Sequence, residues 1–472
     1  MPRRNRLYKH FLPPPFRFSA SVSSPWVFKV YAIVAILVTF ALVAQMYINS
    51  ASLFLASLAW AFPALAKYPT HDYPTPEYPT PGCPTPEDPL KVYTISAEGI
   101  EASFIPYGAT LKSLLVNDKD GKQQDVVVGY DDPEKYVTDS QTNHTYMGCI
   151  VGRYANRIMN GSFELDGTTY NITKNENKDT QTLHGGIVGY DQRNWTVANY
   201  TDNSITFSLL DTGFEGFPGD VITYATYTVS ANSTGPKPVT QMTAKTVSIA
   251  LNEKTPIMLA HHIYWNLNGF KAPNVLEDTT LQLPLSNQFI EIDGSAIPTG
   301  EIVDVATAFD GALDFTKPKL IGKDIEAAKN CGANCTGYDN AWLINRPNNI
   351  SDWTSSPETM TLALNMSSSI TGISLAVTTN QKAIQIYSCN NQNGTIPVKP
   401  SQVKRNQKGG EYGSYQAAGG VDMIEKYGCL VIETEGWIDA INYPEWNQDN
   451  YQIYSPATGP AVNLATYEFG TI

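Results

Sequence analysis

Positive charge is scarce in this sequence: 32 Lys and Arg stand against 45 Asp and Glu, a net charge of −13. A surface of that sign repels phosphate backbones and excludes nucleic acid as a partner. Charge of either sign is sparse, at 16% of residues. Six cysteines in 472 residues are too few to staple so long a chain, so a hydrophobic core must hold it. Six histidines, two of them (His10 and His71) near the amino terminus, argue against a His-rich metal centre. No Gly-x-x-x-x-Gly-Lys-Ser/Thr, Gly-x-Ser-x-Gly, His-Glu-x-x-His or paired Cys-x-x-Cys occurs. Nucleotide-binding P-loops, nucleophile elbows, zincin centres and paired-cysteine zinc sites are thereby set aside. After residue 90 no long, capped 3.6-residue period is found, and Ile321 to Lys329 is the best short helix candidate.

Gly (34), Pro (31) and Tyr (27) are plentiful, a mix that suits strands, turns and a polar, weakly charged surface. Ser162–Leu165 and Thr169–Ile172 flank Asp166-Gly167, a two-residue hairpin signal. Val221 to Ser230, Val247 to Leu251 and Ile373 to Thr378 alternate with β-branched and aromatic residues. Strands without intervening helices predict an all-β fold over residues 91–472, a large antiparallel β-sandwich. Asn117 to Gly121 superficially resembles a calcium loop, but Val116 and Val127 fill the first and last ligand positions, and a hairpin turn is expected. The polar stretch Asn391 to Gly420 is expected to be a surface excursion.

Residues 1–66 differ from the rest. Arg3, Arg4, Arg6, Lys9, Arg17 and Lys29 precede an apolar run, Val30 to Ile48, about as long as one membrane-spanning helix. A second apolar stretch, Leu53 to Ala66, ends in Ala64-Leu65-Ala66, the small-x-small form of a signal-peptidase site. Three readings stand: a type II anchor through residues 30–48, a long cleaved signal, or a start at Met46 with a compact signal. Each places the remainder outside the cytosol. Residues 67–90 hold a Tyr-Pro-Thr-Pro repeat, an extended spacer expected to carry O-linked sugar. Ten Asn-x-Ser/Thr sequons follow: Asn143, Asn160, Asn171, Asn194, Asn199, Asn232, Asn334, Asn349, Asn365 and Asn393. Cys331 and Cys335 are close enough to pair across a loop, and Cys389 and Cys429 could join neighbouring strands. Cys83 lies in the spacer, and connectivity stays open.

Several polar residues sit in apolar surroundings. His262 lies within Ala260 to Leu267. His184 precedes Gly185-Gly186, where something can approach the backbone closely. Glu433 alternates with Leu430 and Ile432, and Gln385 with Ile384 and Ile386. Arg157 follows Gly152-Arg153-Tyr154-Ala155-Asn156, and Asp339 follows Gly337-Tyr338. Together these stretches, with Asp439-Ala440-Ile441-Asn442, resemble the aldose 1-epimerase (galactose mutarotase) family in the family's order, from about Tyr93 to the carboxyl terminus. The resemblance implies a galactose mutarotase-like supersandwich with no cofactor, acting on a small-molecule aldose such as glucose or galactose. It further implies His262 as acid, Glu433 as base, and Asn156, Arg157, His184, Asp339 and Gln385 as sugar contacts.

Anomer exchange needs those residue types. A base takes the proton of the C1 hydroxyl while an acid protonates the ring oxygen. The ring opens, the C1–C2 bond rotates, and the reverse transfers close it. Arg157 and His184 can donate to sugar oxygens, and Asp339 can accept from hydroxyls. Trp265 or Tyr264 could pack on the sugar's C–H face. Some positions depart from the family pattern. His261 and Ile263 replace its Asn and Ser or Thr around the catalytic His, which leaves His261 as an alternative imidazole. Glu435 replaces Gln and adds a carboxylate on the Glu433 face, and Ile438 replaces Pro. The alternatives are a non-catalytic carbohydrate-binding relative, a hexose-phosphate epimerase, or a glycoside hydrolase using Asp339 with Glu433.

Overall fold

The computed structural model describes residues 88–232, 239–346, 359–407 and 421–472. The basic and apolar amino-terminal segments, the spacer up to residue 87, Asn349 and residues 408–420 lie outside them.

Two antiparallel sheets dominate. The larger has nine strands, in the order Thr196–Tyr200, Ser204–Thr212, Asp220–Asn232, Val239–Ala250, Ala461–Thr471, Ile373–Thr379, Thr361–Ser368, Thr279–Gln282 and Lys319–Leu320. The second has six: Ile263–Trp265, Leu430–Glu435, Ala383–Tyr387, Asp339–Leu343, Gln288–Ile292 and Pro298–Asp304. Period-two alternation decides which side chains meet between them. Tyr227, Met242, Ala244, Tyr467 and Phe469 of the first join Ile263, Trp265, Trp342, Ile384, Ile386 and Ile432 of the second in one buried cluster. The Trp265 ring lies 5.0 Å from that of Tyr467. The fold is the expected all-β sandwich, and its contents are aromatic and aliphatic.

Local expectations fare unevenly. Asp166-Gly167 does turn a hairpin, pairing Ser162–Leu165 with Thr168–Asn171. Asn117 to Gly121 likewise links the paired strands Thr110–Asn117 and Gln123–Asp125. Disulfides join Cys331 to Cys335 and Cys389 to Cys429, while Cys149 is free and buried. The helix expected over Ile321 to Lys329 is absent; only a 3₁₀ turn, Ile325–Ala327, forms there. The N–H groups of Ile321 and Gly322 donate to the Thr279 and Leu276 carbonyls and the Ile321 carbonyl accepts from the Tyr338 hydroxyl, so the segment continues the sheet edge where a helix would have to begin. Helices form instead at Glu134–Ser140 and Pro400–Gln407. The second lies within the expected surface excursion, of which residues 408–420 are outside the described part, and buried Gln402 anchors it by donating to the Asp125 and Val127 carbonyls.

Candidate active site

The face of the six-stranded sheet turned away from the sandwich core carries the polar set. Gln385 lies directly across from Glu433, and Asp339 across from Tyr387. Tyr264 shares this face, because its neighbours Ile263 and Trp265 point into the core. Above it is a cleft of about 390 Å³, lined among others by Asn156, Arg157, His184, His262, Asp339, Gln385 and Glu433. All seven residues expected at the site therefore border one cavity, within the usual size range for small-molecule sites.

Each side chain is held from below. His262 sits between two short strands, its N–H donating to the Cys149 carbonyl and its carbonyl accepting from Gly148 N–H. That break in regular pairing turns His262 into the cleft. His261 turns the other way, to within hydrogen-bond distance of the buried Tyr227 hydroxyl (3.2 Å), and takes no part in the lining. The His262 Nε2 and Glu433 Oε1 atoms are 3.6 Å apart, with side-chain exposures of 8% and 4%. Burial lowers the His262 imidazole to about 3. Glu433 is pushed well above its ordinary value, first by burial, then by Glu435 and Asp339, with Arg157 opposing. Burial thus favours the uncharged form of each, a carboxyl that keeps its proton beside a neutral ring, so that the pair shares one proton.

Arg157 makes a bidentate pair with Glu176 (2.9 and 2.8 Å). Burial works against its charge, but Glu176 and then Asp339 outweigh it and hold the guanidinium protonated. Gln385 donates from Nε2 to Asp339 Oδ1 at 2.7 Å; burial raises the Asp339 carboxyl, against Arg157 and Gln385. The backbone N–H of Asn156 donates to His184 Nδ1 (3.1 Å), and the N–H of His184 returns a bond to the Asn156 carbonyl (2.9 Å). Burial, then His262 and Arg157, keep the His184 ring neutral. Its proton must therefore sit on Nε2, leaving a donor that faces the cleft.

His184, His262 and Glu433 each offer an atom within 4.8 Å of the others, a grouping that could enclose a cation. The His184 tautomer does not fit that use, since Nδ1 is already an acceptor and Nε2 carries the proton. The approach expected at Gly185-Gly186 is made by the chain itself: a Cβ on Gly185 would collide with the Gly152 carbonyl. Trp265, 0% exposed in the core, is no sugar platform.

Further residues line the cleft. His144, stacked on Tyr146 with ring centroids 4.0 Å apart, forms part of the rim. Tyr387 was legible, alternating with Ile386 on the face of Gln385. Glu176 and residues 391–393 reach the cleft from loops, and no pattern marks them. Arg153, within the same motif as Asn156, is instead a buried strut paired to Asp211 at 2.7 Å.

Comparison with known proteins identifies the family. Residues 91–450 match the family described as Aldose 1-epimerase. The chain is 64% identical over 385 residues to "Probable aldose 1-epimerase" of Arthroderma benhamiae, covering 81% of this chain and 87% of that protein. It is 29% identical over 379 residues to galactose mutarotase of Sus scrofa, covering 77% and 94% respectively. Among solved structures, an aldose epimerase homologue from C. elegans matches with a TM-score of 0.64 at 25% identity, over 81% of this chain and 99% of that one. Galactose 1-epimerase from Lactobacillus acidophilus shares the fold, with a TM-score of 0.58 at 20% identity over 81% and 95% of the two chains. This chain is an isomerase that belongs to the aldose 1-epimerase family.

Proposed function

We propose that the enzyme interconverts the α and β anomers of free hexoses such as glucose and galactose, with Glu433 as base and His262 as acid. The observation that carries this reading is the 3.6 Å approach of His262 Nε2 to Glu433 Oε1 in one cleft. Catalysis needs Glu433 ionised and His262 protonated. That state contains the same single proton as the resting pair, moved from carboxyl to ring, so no proton need be exchanged with solvent. A sugar bound in the cleft over the pair presents its C1 hydroxyl to Glu433 and its ring oxygen to His262. Proton removal at C1 and delivery to the ring oxygen break the C1–O5 bond and leave an open-chain aldehyde. Rotation about C1–C2 and reversal of both transfers close the other anomer.

The remaining groups orient the hydroxyls. Arg157 and His184 donate, and Asp339 accepts. Tyr264 and Tyr387 offer ring surface at the wall. We also propose that this domain works outside the cytosol, released or anchored through residues 30–48. The two disulfides favour an oxidising compartment, and the sequon residues Asn143, Asn334 and Asn393 are exposed.

Polarimetry on freshly dissolved α-D-glucose and α-D-galactose tests the proposal. The enzyme should speed the approach to equilibrium rotation for the free sugars and leave a methyl glycoside unchanged. Absence of any acceleration, or release of methanol from the glycoside, would overturn it.

A further inference from the structure

Asn156 occupies the centre of a hydrogen-bond array that joins three separate parts of the cleft. Its backbone N–H and carbonyl bond the His184 ring and main chain. Its side-chain oxygen accepts from the Arg157 N–H at 3.1 Å and from Arg157 Nη1 at 3.4 Å. Its side-chain Nδ2 donates to Glu435 Oε1 at 3.0 Å. Glu435 itself is 0% exposed. It lies two residues beyond Glu433 on the strand Leu430–Glu435, so both carboxyls leave the same face. The bond to Glu435 fixes which way the Asn156 amide is turned, and thereby presents its oxygen to Arg157.

We propose that Glu435 is a positioning residue for the reaction: it orients Asn156, and through Asn156 the His184 ring and the Arg157 guanidinium, while its carboxyl acts at close range on Glu433. The inference rests on the acid–base reading of His262 and Glu433 given above.

The electrostatic half follows from what surrounds Glu435. Glu433 faces it from its own strand, Arg157 from the short strand Arg157–Ile158, Asp339 from the strand Asp339–Leu343, and the Tyr154 hydroxyl from the segment before Asn156. Burial raises Glu435 to about 8, with Asn156 and Arg157 opposing. Its charge therefore appears as the medium turns alkaline, and a charge there makes it harder for the Glu433–His262 pair to lose its one proton. Glu435 thus extends the active range upward in pH. A Gln would preserve the bond to Asn156 through its amide oxygen and remove the charge; an Ala would remove both.

Anomer-exchange rates against pH and substrate concentration separate these effects, measured with wild type, Glu433→Gln, Glu435→Gln, Glu435→Ala and Asn156→Ser. Glu435→Gln should retain wild-type KM at neutral pH and shift the alkaline limb of kcat/KM about one unit lower. Glu435→Ala should raise KM about tenfold with a smaller change in kcat. Asn156→Ser breaks the same tie from the other side and should reproduce that rise if Glu435→Ala does not fold. A purely structural Glu435 would lower thermal stability and leave the alkaline limb in place. Should Glu435→Gln superimpose on wild type at every pH, or both tie-breaking variants keep wild-type KM, the inference is overturned. An inactive wild type, or an active Glu433→Gln, would instead overturn the acid–base reading itself.

Discussion

The strands Val239–Ala250 and Leu430–Glu435 obey the same geometry and have opposite fates. The first alternates half-buried and buried residues along most of its length, with Gln241, Thr243 and Lys245 outward and Met242 and Ala244 in the core. In the second, all six residues are buried, although Glu433, Thr434 and Glu435 are polar. The outer face of the first meets water. The outer face of the second is roofed by the segments that carry Asn156 and His184. Roofing a sheet face costs solvation, and this protein places ionisable groups where that cost is greatest. Their proton affinities move as a result, which is what acid–base chemistry near neutral pH requires.

Substitutions at neighbouring positions can break or sharpen this contrast. The largest expected effect is on the core face: Trp265→Ala should cost about 3–5 kcal/mol in chemical denaturation. The adjacent Tyr264→Phe, on the cleft face, should cost only about 1 kcal/mol, for its bond to the Thr145 carbonyl. Equal losses would mean that the two faces do not divide stability from function. Next in size, Arg157→Ala should raise KM for the sugar by about tenfold to a hundredfold through loss of a charged donor, read from initial rates.

A smaller effect concerns pH. Glu435 and Asp439 are raised by burial to about 8 and about 7, from ordinary values of 4.5 and 3.8. Each folded carboxyl keeps a proton that the unfolded chain has lost, so its stabilising contribution is full below pH 4 and disappears as pH rises toward 8. Melting temperatures should fall across that interval, and Glu435→Gln or Asp439→Asn should flatten the slope; an unchanged slope would contradict the assignment. Smallest of all, Ile249→Thr, at a position 40% exposed on the outer face of the large sheet, should change stability by no more than about 0.5 kcal/mol.

Legibility in the sequence follows the same division. Long alternating strands and the Asp166-Gly167 hairpin can be read because one face meets water and the other does not. The position of Glu433 within its strand is readable for the same reason, since Leu430 and Ile432 mark the core side. The roof is another matter. Glu176 and His144 reach the cleft from irregular segments, where residue spacing carries no directional information. The choice between His261 and His262 depended on a break in pairing next to Cys149, and adjacent residues in a strand differ only in which face they take. The expected helix at Ile321 has apolar spacing of the right kind, but the segment continues the edge strand Lys319–Leu320 instead.

One measurement bears most directly on the central claim. Anomer exchange in equilibrated galactose, followed by magnetisation transfer between the α and β resonances, should be accelerated by wild-type enzyme and should fall about 10²–10⁴-fold in both Glu433→Gln and His262→Ala, with both variants folded. Exchange at the wild-type rate in either folded variant would contradict the assignment of the proton pair.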